Sequence, residues 1–156
     1  MYNQAEAILR QAGIGVLRRG IAVVAPGKLY GVLPGDTVRV SATIDYRGPA
    51  LDDDFYAAIG ERRLVDFDEH WDSGPVPIHF ASSIDWVTYD LVADIPITEV
   101  AKFPWTPGWF DLYVKLLEHH QVWHVPRAEM PELSNVIEVL LAAAFDNFDI
   151  VSYDVV

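Results

Sequence analysis

The sequence has no cysteine among its 156 residues. This absence excludes disulfide bonds, thiolate metal ligands and cysteine nucleophiles, although it leaves the cellular compartment open. Basic residues are also scarce, since 11 Lys and Arg stand against 23 Asp and Glu, for a net charge of −12. Nucleic acids are recognised by clustered Lys and Arg, so we expect no nucleic-acid partner for this acidic protein.

Long apolar runs are missing as well. No segment approaches the roughly 20 apolar residues that a membrane-spanning helix needs, so we expect a soluble chain without membrane insertion. Residues 1–20, MYNQAEAILRQAGIGVLRRG, do not have the pattern of a secretory signal. Their apolar stretch is interrupted, and Arg18 and Arg19 lie where a cleavage region would be.

The motifs of nucleophilic and phosphate chemistry are absent. There is no Gly-x-Ser-x-Gly sequence, and Ser82 and Ser83 lie in a polar segment after Phe80. Residues 25–28, APGK, lack the flanking glycines and the Ser or Thr of a phosphate-binding loop. We therefore predict that the protein is not an enzyme.

A regular alternation of apolar and polar residues is the strongest positive feature. It lies within residues 33–48, LPGDTVRVSATIDYRG, where every second position from Val38 to Tyr46 is apolar. A period of two with many β-branched residues predicts a strand with one buried face. Turn signals bound it, with Pro34 and Gly35 before the strand and Gly48 after it.

Similar patterns recur along the chain and predict a mainly β fold, an antiparallel β-sandwich with a short N-terminal helix or arm. The predicted helix covers residues 5–12, after an Asn3 cap, and a lead-in strand covers residues 21–25. We predict two parts, an arm at 1–27 and a sandwich domain at 28–156. The further predicted strands lie within residues 54–60, 76–80, 86–98, 108–118, 135–145 and 148–156.

These strands resemble the immunoglobulin-like β-sandwich modules of bacterial and archaeal surface proteins, of the cell-adhesion-related (CARDB-like) type. In that family a Pro-Gly turn leads into a long alternating strand, as at residues 34–36, and a Gly-x-Tyr-Asp-Leu type of strand follows later, as at residues 108–113. The resemblance covers residues 28–118. The chain departs from the family at residues 45–48, where an Asn-x-Gly turn is usual, and in the segment 62–74. The resemblance implies a non-catalytic module that holds, spaces or binds.

Charge is distributed unevenly along the chain. Residues 1–31 carry four basic side chains and one acidic side chain, whereas the remainder carries 7 basic and 22 acidic ones. Such a basic arm, with Arg10, Arg18 and Arg19, could dock on the acidic body of a neighbouring copy. The alternative is that the arm packs on its own domain.

An acidic segment is the candidate metal site. Asp66, Asp68, Glu69 and Asp72 lie close together, and calcium takes six to eight oxygen ligands from loops of this kind. The spacing is not that of an EF-hand, and the alternative is a solvated acidic loop. Apart from calcium at these residues, we expect no cofactor.

An aromatic segment, FPWTPGWF at residues 103–110, is the candidate binding surface. Tryptophan in a loop is a favoured anchor for a sugar ring or a protein partner, and the alternative is a ring cluster that covers one end of the sandwich. The predicted ligand-binding or partner-binding residues are Phe103, Trp105, Trp109 and Phe110.

Taken together, these features predict a structural or interaction module that assembles with other protein subunits, as a homo-oligomer, in a surface layer, a filament or a virus particle. Exposed strand edges offer a further route to subunit contact. This prediction favours an extracellular surface or a virus particle as the location. The alternative function is a carbohydrate-binding accessory module that uses the aromatic segment and is stabilised by calcium.

Overall fold

The computed structural model describes residues 5–18, 21–25, 28–64, 66–98, 108–118, 128–129 and 133–140. Within these ranges the chain is mainly β and contains no helix. The strands are β1 (Glu6–Arg18), β2 (Ile21–Ala25), β3 (Leu29–Val32), β4 (Thr37–Gly48), β5 (Leu51–Arg62), β6 (Phe67–Asp72), β7 (Val76–Phe80), β8 (Ser83–Pro96), β9 (Trp109–Glu118), β10 (Ala128–Glu129) and β11 (Leu133–Val139).

A search of the same ranges for a helix able to cross a membrane found none.

Four strands form the first sheet, in the order β2-β1-β4-β8, and every pair in it is antiparallel. The predicted alternating strand is β4, at the centre of this sheet. Its side chains alternate strictly between buried and half-buried, which confirms the one-sided pattern in the sequence. The backbone register is continuous over most of the sheet, so that Thr37 of β4 lies opposite Leu17 of β1 and Pro96 of β8.

The second sheet has the order β3-β11-β9-β5-β6, with β7 also paired to β5 and β10 to β9. Its pairs are antiparallel except that of β3 with β11, which is parallel. The expectation of purely antiparallel pairing is therefore wrong at this edge. A long stretch of chain separates β3 from β11, and only such a connection allows parallel neighbours.

Buried side chains of both sheets form one hydrophobic core. Tyr46 of the first sheet stacks on Phe80 of the second, with ring centroids 4.3 Å apart. Trp71 of β6 donates a hydrogen bond from Nε1 to the carbonyl oxygen of Thr98, just after β8, at 2.9 Å. Two antiparallel-rich sheets that share a core agree with the predicted β-sandwich architecture.

The helix predicted over residues 5–12 is wrong, because this segment is the first half of β1. The strand pairs with β4 along its length, and a register shift between Gln11 and Gly13 accommodates one extra residue. Leu9 points into the core whereas Ile8 is exposed, as the alternation of a strand requires. Local helix propensity is weak, and pairing with the long strand β4 outweighs it.

Strand β5 is buried on both faces, although the sequence predicted a strand with one buried face. Nine consecutive residues, Asp53 to Glu61, are buried. One face contributes to the main core, and on the other Tyr56 and Ala58 pack with Leu117 and Phe67. Strand β5 is flanked by β9 and by β6 and β7, so it is central in its sheet, and this position buries its acidic start.

A β-bulge interrupts the pairing between β5 and β6. Ile59 pairs with Trp71 and the next residue, Gly60, pairs with Glu69, so that His70 is the extra residue. The β6 backbone passes very close to Gly60, because a Cβ placed there would lie 2.0 Å from the carbonyl oxygen of Asp68. Bulges bend a strand and redirect its side chains, and here the bulge needs a glycine opposite it.

We predict that Gly60→Ala lowers the free energy of unfolding by about 3 kcal/mol, since the added methyl group meets backbone atoms that cannot rotate away. Gly31→Ala is the control, because a Cβ there meets nothing within 4 Å and only the positive φ of 68° opposes it. We expect a loss of about 1–2 kcal/mol for the control. Urea unfolding of both variants measures the difference, and an equal or smaller loss for Gly60→Ala would contradict the tight approach at the bulge.

Candidate functional site

The four acidic residues that were predicted to share a metal site do not form one group of ligand-type side chains among the described residues. Asp66 is exposed, and its carbonyl oxygen accepts a hydrogen bond from the Arg63 amide. Glu69 accepts a hydrogen bond from the Tyr56 hydroxyl, at 2.6 Å. Asp72 accepts one from the backbone amide of Gly74, at 2.8 Å. Of the four residues, Asp68 alone belongs to a group of ligand-type side chains found among the described residues.

That group consists of Glu61, Asp68 and His70, whose ligand-type atoms all lie within 4.8 Å of one another. The His70 Nε2 atom is 3.0 Å from Glu61 Oε1 and 3.8 Å from Asp68 Oδ2. The His70 side chain is only 3% exposed and the Glu61 side chain 8%. Arg63 forms an ion pair with Asp68 at 2.8 Å. We call these four residues the bulge cluster.

The bulge explains why these side chains meet. As the extra residue of β6, His70 points inward, and its ring packs against Trp71 and Phe110 at centroid distances of 5.7 and 5.4 Å. The acidic set predicted from the sequence does not include His70 or Glu61, because a bulge changes which residues face each other and leaves no spacing rule to read. An imidazole nitrogen with two carboxylates suits a transition metal better than calcium, which prefers an all-oxygen set.

Tyr56 lies on the other face of β5, where it packs with Ala58, Leu117 and Phe67, and its phenol has a raised pKa. Burial of the phenol raises its pKa above the ordinary value of 10.0, and the hydrogen bond to Glu69 adds to the shift. A phenol that stays neutral in the folded protein but ionises in the unfolded chain makes folding less favourable at high pH. The contribution of Tyr56 to stability is therefore complete below pH 10 and is lost as the pH rises above it.

Of the four predicted aromatic residues, Phe103 and Trp105 lie outside the described residues. The other two, Trp109 and Phe110, have different environments. Trp109 is half-buried on β9, where it meets the exposed ring of Tyr30 edge to face at 5.3 Å. The Lys28 ammonium lies 5.2 Å from the centroid of the Trp109 ring. Phe110 is 1% exposed and belongs to the core, so it cannot present a surface to a ligand. Alternation along β9 separates these neighbours onto opposite faces.

The predicted basic arm is built into the first sheet as far as the structure describes it. Arg10 of β1 is exposed and lies 3.4 Å from Asp45 of β4. Arg18 is the last residue of β1, opposite Ile21 of β2, and Arg19 lies outside the described residues. Residues 11–25 carry two basic side chains, those of Arg18 and Arg19, and no acidic one.

The face of the first sheet that points away from the core, here called the outer face, pairs many of its charges across strands. Arg39 binds Asp94 with two hydrogen bonds of 2.8 and 3.0 Å, and this contact raises the pKa of Arg39. Arg47 pairs with Glu6 at 2.7 Å, and its guanidinium lies 4.5 Å from the centroid of the Trp86 ring. These ion pairs are exposed and contribute little to stability.

Strand β8 lies at one edge of this sheet and is 14 residues long. Among the described residues it pairs with β4 alone. Its exposed apolar side chains are unusual in number for one strand, and they are Ile84, Trp86, Val87 and Val92, between 39% and 59% exposed. The edges of the second sheet are much shorter, with 4 residues in β3, 6 in β6 and 5 in β7.

Comparison with known proteins adds no relative. A scan against protein-family models gave no match, and a search of the curated proteins found none either.

We predict that Tyr56→Phe flattens the loss of stability at high pH. The free energy of unfolding of the native protein should fall as the pH rises above 10, and that of the variant should fall less steeply, after a loss of about 1 kcal/mol at neutral pH for the missing hydrogen bond. Urea unfolding between pH 8 and 11 measures both slopes. Tyr30→Phe is the control, because Tyr30 is 64% exposed. Equal slopes for native protein and Tyr56→Phe would contradict the assignment.

Proposed function

We propose that this protein is a non-catalytic structural and interaction module, a subunit that associates with further copies of itself in a larger assembly such as a surface layer, a filament or a virus particle. The observation that carries the proposal is the long edge of β8, which among the described residues has no strand partner other than β4. Soluble monomers usually keep their edge strands short, bulged or charged against pairing with other chains, and a long edge with exposed apolar residues is suited to pairing.

The backbone of β8 supports this role. Just beyond the strand, the Ile97 amide donates to the Asp36 carbonyl at 2.9 Å, and the Ile97 carbonyl accepts from the Gly35 amide at 2.7 Å. In an antiparallel pair, successive residues direct their backbone groups to opposite sides. The uninterrupted register with β4 therefore turns the backbone groups of the even-numbered residues 88–94 away from β4.

The side chains around this edge suit a protein partner. Val92 is 46% exposed and Trp86 42%, and both lie on the outer face next to the paired charges of β4. Aromatic and aliphatic side chains surrounded by satisfied polar groups are the usual composition of an interface core and its rim.

The bulge cluster favours a structural role over catalysis. His70 and Glu61 are buried with only a few per cent of each side chain exposed, and they are bonded to each other. Asp68 is held by Arg63. A general acid or base must reach its substrate directly or through one water, and these side chains are directed into the protein.

The resemblance to immunoglobulin-like modules of surface proteins agrees with this proposal. Such modules space and bind without catalysis, and a sandwich with open edges can serve the same purpose here. We extend the proposal to location, and place the protein on an extracellular surface or in a virus particle. Fold likeness does not by itself establish function, so the edge of β8 remains its main support.

We predict that the molar mass measured by light scattering rises with protein concentration, because edge pairing and apolar contact are intermolecular. Trp86→Ala should weaken association by about tenfold, since it removes an exposed aromatic side chain worth about 1.4 kcal/mol. Trp109→Ala is the matched control on the second sheet and should leave association unchanged. A strictly monomeric native protein at high concentration and low salt would contradict the proposed function.

A carbohydrate-binding module is the second candidate, and a different surface favours it. Tyr30 is 64% exposed and stands edge to face with Trp109, and Lys28 lies beside the same tryptophan. Exposed aromatic rings on a rigid strand can stack on a sugar ring, and a neighbouring ammonium can bind its hydroxyl or acidic groups.

For the carbohydrate-binding candidate, Trp109→Ala becomes the test variant and Trp86→Ala becomes the control. Trp109→Ala and Tyr30→Ala should each abolish binding on a glycan array, whereas Trp86→Ala should leave it intact. Calcium is tested in parallel by comparing melting temperatures with and without chelator. The absence of any glycan signal from the native protein would remove the candidate.

A further inference from the structure

We propose that copies of this chain join head to tail through the two edges of the first sheet, with β2 of one copy paired to β8 of the next. This inference rests on the proposed function and names the surfaces through which the assembly forms. Each junction would extend the four-stranded sheet into the neighbouring copy. A contact between two different edges is heterologous, so it produces a ring or a filament.

Strand direction supports this pairing. In the order β2-β1-β4-β8 each strand is antiparallel to its neighbour, so β2 and β8 run in opposite directions. When a second copy is placed beside the first by translation within the sheet, its β2 meets β8 in the antiparallel sense. The alternation of directions then continues across the junction, in the arrangement that antiparallel sheets use throughout.

The faces match under the same translation. A translation does not turn the copy over. The core-facing sides of the two copies therefore lie on the same side of the extended sheet, and so do their outer faces. The register places β2 and the end of β8 at the same height in the sheet, since Ala22 lies opposite Leu17, Leu17 opposite Thr37, and Thr37 opposite Pro96. The two edges can therefore meet without a large stagger.

Charge selects this pair of edges over the alternatives. The sequence of β8 contains three acidic residues, Asp85, Asp90 and Asp94, and no basic one. Strand β2, IAVVA, has no charge and follows Arg18 and Arg19. Pairing β8 with β8 of another copy would bring acidic residues together, whereas pairing β8 with the uncharged strand β2 avoids this repulsion.

Pro96 of β8 indicates how the edge can be blocked without unfolding the sheet. It is paired opposite Thr37 although proline has no amide hydrogen, because the nitrogen at this even-numbered position faces away from β4. Proline at position 94, which lies level with Val24 of β2, would remove an outward amide in the same way.

The first test compares Asp94→Pro with Asp94→Ala, which loses the same carboxylate but keeps the amide that lies level with β2. We expect the proline variant to associate about fivefold more weakly than the alanine variant by light scattering, since the lost hydrogen bond contributes about 1 kcal/mol. Circular dichroism checks that both variants stay folded. Equal association of the two folded variants would overturn the role of the β8 edge.

The second test identifies the partner strand, and the absence of native cysteine makes it unambiguous. Ala22→Cys in β2 and Pro96→Cys in β8, whose backbone positions lie level, are prepared as separate proteins, together with Val92→Cys as a probe of β8 paired with itself. Each is treated with a short bis-maleimide. We expect cross-linked dimers when Ala22→Cys and Pro96→Cys are mixed, and at least about fivefold less product from any variant alone, because like edges do not pair.

The outcomes separate this inference from the proposed function. A product from Val92→Cys alone would indicate that β8 pairs with itself and would overturn the head-to-tail arrangement. Association without any cross-link between Ala22→Cys and Pro96→Cys would overturn it as well, and would leave the assembly role to another surface. A monomer in every experiment would overturn both, and would indicate that a segment of the same chain covers the edge.

Discussion

The register between β4 and its two neighbours is the constraint on which the rest of the structure depends. Alternate side chains of β4, from Val38 to Tyr46, are at most 2% exposed. A slip of one residue would turn all of them to solvent and bring charged residues into the core, so burial fixes the register with β1 and with β8. That register also decides which backbone groups of β8 face outward, and it thereby connects the packing of the core to the chemistry of the open edge.

The two sheets have different surface properties. The second sheet has short strands at its edges, and its unusual residues are turned inward, with His70 held by Glu61 at the bulge opposite Gly60. The first sheet has a long edge strand and a flat outer face with cross-strand ion pairs. Buried residues of both sheets form the shared core. Under the proposed function, association takes place at β8.

The sequence predicted the mainly β fold and the central strand, because alternation with period two is a local signal and burial of one face enforces it. Predictions from the sequence were wrong where tertiary contacts decide the local structure. The helix predicted at 5–12 is a strand because β4 offers a long partner, and β5 is buried on both faces because of its central position. Among the candidate sites, the acidic segment contributes only Asp68 to the group of ligand-type side chains found among the described residues. The bulge brings Glu61 and His70 to Asp68, and no spacing in the sequence reveals a bulge.

Hydrogen exchange at the even-numbered amides of β8 tests the central claim most directly. The amides of Thr88, Asp90, Val92 and Asp94 should exchange rapidly in dilute solution, and that of Asp94, which lies level with β2 of the next copy, should exchange slowly at concentrations where the protein associates. The odd-numbered amides that face β4 should be protected at both concentrations. Protection of the even-numbered amides in dilute solution, or rapid exchange at Asp94 in the assembled state, would contradict the account.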